Sequence, residues 1–221
     1  MLDLKGLDRN KAVNLIVSAL TGVVMLVAMI TMLVSKRFLR LTIGPDFVIR
    51  WLLVFAVGLA FIYGVVRFAL CSVTKADASK AASQAFIFFG LGELCAIAIC
   101  ILTFFGEADY QQNMNLIEDL LGIVFHLILC VFALFGVAFA RSRKRAFIVS
   151  VIAGAVALLI AVIEIAFVGP AAVRAQSMDF TVVISSIGSI MPYAAAAVFS
   201  KTMLAEDGEK ISENTEDGEN V

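Results

Sequence analysis

Six apolar runs, each about as long as a bilayer is thick once wound into a helix, leave this chain little choice of fold. They cover roughly residues 12–35, 47–71, 82–105, 115–140, 146–168 and 180–200. A helix needs about 20 residues to cross about 30 Å of hydrocarbon, so each run is long enough to span a membrane. The connections between them are too short to hold a second folded unit. The expected fold is therefore all-α: a polytopic transmembrane helical bundle with six spans. Composition agrees, with 62% hydrophobic and only 16% charged residues, whereas soluble domains are about half apolar and a quarter charged.

Short polar segments frame the bundle. Residues 1–11 form a charged leader, and the run after them exceeds the h-region of a signal peptide, so it reads as a first span rather than a cleaved signal. Residues 202–221 are acidic and nearly free of apolar side chains, which predicts a disordered tail. Gly44-Pro45-Asp46 reads as the start of the second span, Asp77 and Ser79 as caps for the third, and Gly169-Pro170 as the stop of the fifth.

The positive-inside rule sets the orientation. Arg141, Arg143, Lys144 and Arg145 follow the fourth span, while the loop before it, GEADYQQNM, carries no Lys or Arg. With the N-terminus inside, the inner segments also collect Lys5, Arg9, Lys11, Arg67, Lys75, Lys80, Lys201 and Lys210. Both termini are expected on the cytoplasmic side of a cell membrane. Lys36, Arg37, Arg40 and Arg50 are the outer exceptions, and the acids at Glu107, Asp109, Glu118 and Asp119 are the available partners. The first and third outer loops are therefore expected to lie together, with Arg40 near Asp109.

The candidate site lies where ionisable residues enter the apolar runs, because an intramembrane charge is expensive and points to function. Glu93 falls about midway along the third run, and His126, the only histidine, about midway along the fourth. A short loop between these runs favours antiparallel neighbours, which puts the two at similar depth. Asp119 lies two turns before His126 on nearly the same face. It extends a proton or substrate path outward, although as a helix-start acid it also suits the dipole. Glu164 in the fifth run and Ser189 in the sixth complete the candidates. The sixth run also holds Ser185, Ser186, Gly188 and Pro192, and a proline there frees the Gly188 carbonyl and is expected to kink the helix. On the first span, Asn14, Ser18 and Thr21 share a face that should point at neighbouring helices.

Other chemistry is poorly supported. Cys71, Cys95, Cys100 and Cys130 fall within or at the edges of apolar runs and suit packing, one histidine argues against a zinc site, and no basic run suits nucleic acid. No cofactor is expected. The HExxH and GxSxG motifs are absent, so enzyme chemistry is not expected either. The remaining reading is a small transporter, or the substrate-binding membrane subunit of a larger one, built on a mid-membrane Glu/His pair. A non-catalytic accessory or sensory membrane protein is the alternative, acting through partner helices and its cytoplasmic segments. The expected partners are the lipid bilayer and a membrane-protein partner or a second copy of the chain.

Overall fold

The computed structural model describes residues 8–34, 47–74, 76–107, 113–174 and 180–216, with side chains at some helix ends excepted. Among the described residues six helices follow in order: α1 (Arg9–Val34), α2 (Phe47–Val73), α3 (Ala78–Glu107), α4 (Asn113–Phe139), α5 (Arg143–Arg174) and α6 (Phe180–Glu216). Five of them, α1 to α5, contain stretches long and apolar enough to cross a membrane. Many large apolar side chains on them point outward, among them Ile16, Leu52, Phe105 and Leu134. That is the pattern of a bundle whose surround is apolar.

Each helix packs on its chain neighbours, and α6 closes the ring against α1. The α4–α5 contact is the least extensive of the six, while α2 and α3 also reach α6 through the interior. Local chemistry explains the joints. Asp77 caps α3, its Oδ1 accepting from the amides of Ser79 at 2.8 Å and Lys80 at 3.3 Å, as an N-cap aspartate should.

Two helices run farther than their sequences suggest. α5 does not stop at Gly169-Pro170 but continues to Arg174. Proline removes one backbone hydrogen bond but holds φ near the helical value, so a helix can pass through it near its end. α6 likewise continues without interruption past Pro192 and on to Glu216, into residues whose composition predicts no regular structure. Alanine, glutamate and lysine, which recur in this stretch, are good helix formers.

The core is aromatic in the middle and small at the α5–α6 seam. Phe61, Phe68, Phe86, Phe89, Tyr193 and Phe199 are all buried. Phe68 stacks on Phe199 with ring centroids 4.4 Å apart, and Phe89 meets Phe61, Phe68, Phe86 and Tyr193 at 5.8 to 6.1 Å. Glycines make room for these rings. A Cβ on Gly64 would stand 2.6 Å from Phe89, and one on Gly92 would stand 2.8 Å from Phe61. Gly136 faces the Phe86 ring at still closer range. Because Phe86 is itself enclosed, Gly136→Ala is expected to destabilise the bundle by about 1–3 kcal/mol. Denaturant unfolding in detergent checks this, and an unchanged midpoint would contradict it.

The polar face of α1 turns inward as its spacing suggests, with Asn14, Ser18 and Thr21 at most 2% exposed. The head of α2 meets the end of α3, where the buried Arg50 Nη2 donates to the Leu102 carbonyl at 3.0 Å. A cation near the C-terminal end of a helix suits its dipole. The expected approach of Arg40 to Asp109 lies outside the described residues. Trp51 packs with Leu33 and Val54 beside this joint. None of the four cysteines forms a disulfide.

Candidate functional site

Glu93 is the only acidic side chain among the buried described residues, at 1% exposure. It reaches the interior because α3 is packed on three sides, by α2, α4 and α6. Gly90, one turn earlier, sits close to Ala133 of α4 and lets the two helices approach.

The short α3–α4 connection does bring the sequence pair together. Glu93 Oε2 and His126 Nδ1 share a hydrogen bond of 2.7 Å. The donor is whichever atom carries the proton: an Nδ1–H against a carboxylate, or a carboxylic acid against a neutral ring. In its electroneutral form such a pair shares one proton that can sit on either partner. That is the property a proton relay needs.

A third member was not apparent from the sequence. Tyr193 of α6 is fully buried, and its hydroxyl donates to Glu93 Oε1 at 2.9 Å. The Tyr193 hydroxyl also lies 3.3 Å from the Leu129 carbonyl, a second acceptor. Both carboxylate oxygens are thus engaged, by residues from two other helices, and one network ties α3, α4 and α6 together. A tyrosine set in the run PYAAAA was the available signal, since a buried tyrosine hydroxyl usually needs a partner.

The members differ in access. The His126 side chain keeps 28% of its surface exposed against 1% for Glu93. His126 stands on α4, whose contact with α5 is the loosest in the ring, so the histidine is the member nearest the outside. Cys130, one turn beyond His126, directs its thiol towards the Gly90 carbonyl at 3.9 Å, too long to contribute much.

Ser189 is half-buried on α6 one turn before Tyr193, on the same side of the helix. The side chains of Asp119 and Glu164 lie outside the described residues, as do those of Ser185 and Ser186. Among the described residues no three His, Cys, Asp or Glu side chains group together as a metal site would require. No known protein family, curated protein or solved structure matches this chain.

Proposed function

We propose that this chain is an integral membrane protein of six spans with both termini inside, and that Glu93 and His126, braced by Tyr193, exchange a proton as part of solute movement. It would act as a small transporter or as the substrate-binding membrane subunit of a larger one. The observation that carries the reading is the pairing of both oxygens of one buried carboxylate with Tyr193 and His126, one of which is partly exposed. Intramembrane ionisable groups are costly, and proton relays are among the uses for which they are kept. The basic residues that gather after the fourth run, against none before it, support the orientation.

A second reading has its own support. Glu93 is sealed, and both of its oxygens are satisfied. A purely structural clasp between three helices would need the same arrangement. In that case the protein is a non-catalytic accessory or sensory subunit that works through partner helices.

Infrared difference spectroscopy of the protein in bilayers separates the two. Across the pH range in which histidine titrates, the proton reading expects a carboxyl C=O band that changes with pH and disappears in Glu93→Gln. His126→Ala should move its midpoint. A band that ignores pH in a folded protein would leave only the clasp.

A further inference from the structure

The inner end of the bundle contains polar atoms that the Glu93 network does not use. Asn14 is 1% exposed, and its amide nitrogen donates to the Phe68 carbonyl at 2.9 Å and to Ser72 Oγ at 2.6 Å. These two bonds fix the amide and aim its other end elsewhere. Among the described residues Asn14 Oδ1 has no hydrogen-bond partner, and neither does Ser18 Oγ one turn later, though Ser18 is 2% exposed.

Among the described buried serines and threonines, Ser18 is the exception. Thr21, Ser72, Thr103, Ser150 and Ser200 each donate to the carbonyl four residues earlier, at 2.7 to 3.1 Å. That internal bond is open to any helical serine, yet Ser18 does not make it. An unsatisfied buried polar atom costs about 1–3 kcal/mol. Two such atoms one turn apart, on side chains whose Cβ atoms stand about 5–6 Å from each other, are spaced for a bridging molecule.

We propose that Asn14 Oδ1 and Ser18 Oγ hold water at the α1–α2–α6 junction, and that this hydrated pocket is the inner half of the proton path to Glu93. The path rests on the proton reading given above, but the pocket does not. Water fits because it donates to the amide oxygen and either donates to or accepts from the hydroxyl, and buried waters hold their place with two to four such partners. A metal cation fits poorly. The atoms facing the pocket are neutral, and Arg9 and Lys11 stand at the same end of α1.

The pocket stops short of Tyr193. Gly188 of α6 lies against Met25 and Ala28 of α1, while Asn14 binds the Phe68 backbone, whose ring stacks on Phe199. As numbering rises along α1 it falls along α6, so at about 1.5 Å per residue Tyr193 stands roughly level with Thr21. Phe68, Phe199 and Phe89 form one contiguous ring cluster reaching from the residue that Asn14 holds to the network, with Phe89 5.8 Å from the Tyr193 ring and 6.1 Å from Phe68. In this proposal the cluster is the dry plug between the water and the network. Asn14 grips the carbonyl of the residue whose ring is central to that plug.

Water-edited solid-state NMR on the full chain in bilayers tests this. Magnetisation should pass from water to Asn14 and Ser18 several-fold faster than to Ser150, which is equally buried but internally bonded. Tyr193 should stay as slow as Ser150 in the native protein and become fast in Phe68→Ala, or in Phe199→Leu if the first variant fails to fold. Asn14 and Ser18 no faster than Ser150 would overturn the pocket. Tyr193 remaining slow in both plug variants would overturn the path. Because the readout is water contact, a dry pair in a protein whose Glu93 band still follows pH removes this inference and leaves the proton reading standing.

Discussion

Replacing Glu93 by alanine is expected to be among the most damaging single substitutions in the bundle, at about 3–5 kcal/mol of stability. The loss does not come from one strong bond. Alanine strands two buried partners at once, the Tyr193 hydroxyl and His126 Nδ1, and leaves a cavity where the carboxylate stood. Glutamine should behave differently. Its amide oxygen accepts from Tyr193, and its amide nitrogen donates to His126 Nδ1 when the ring carries its proton on Nε2. Glu93→Gln should therefore cost about 1 kcal/mol while removing the exchangeable proton. Unfolding followed by the fluorescence of Trp51, the single tryptophan, measures both. If the glutamine variant falls as far as the alanine variant, the two-sided pairing is wrong.

The second large effect is expected at Tyr193, where two substitutions separate ring from hydroxyl. Tyr193→Ala removes a fully buried ring that packs on Phe89 and should cost about 3–5 kcal/mol. Tyr193→Phe keeps that packing and loses only the bonds to Glu93 and Leu129, for about 1–3 kcal/mol. Combined with Glu93→Ala, which removes the acceptor that glutamine would keep, the phenylalanine variant should show non-additivity of about 0.5–3 kcal/mol, as groups in one network do. Strict additivity would mean that the hydroxyl does not act on the carboxylate.

These effects also show how far the sequence could be read. The helices were legible because long apolar runs allow little else, and Glu93 with His126 because the loop between α3 and α4 is short enough to fix their relative depth. Asn14, Ser18 and Thr21 were legible as an inward face through their spacing. Tyr193 was not, because its pairing depends on α6 crossing the ring to reach α3, a long-range contact that no local period encodes. The helical ends of α5 and α6 run past Pro170 and into the acidic stretch for a different reason. Proline disfavours a helix interior, but glutamate does not, and a helix that is already nucleated extends at little cost.

The ring closure carries a consequence for the order in which the molecule comes together. A chain made from its N-terminus completes the α3–α4 hairpin first, and Glu93 then has His126 beside it. Its second oxygen must wait for the last helix, when Tyr193 arrives. Until then the carboxylate is half-satisfied in an apolar interior, so a product truncated before α6 carries a standing defect at its centre. Docking of α6 is what relieves it, because that helix brings the Tyr193 hydroxyl to the waiting oxygen.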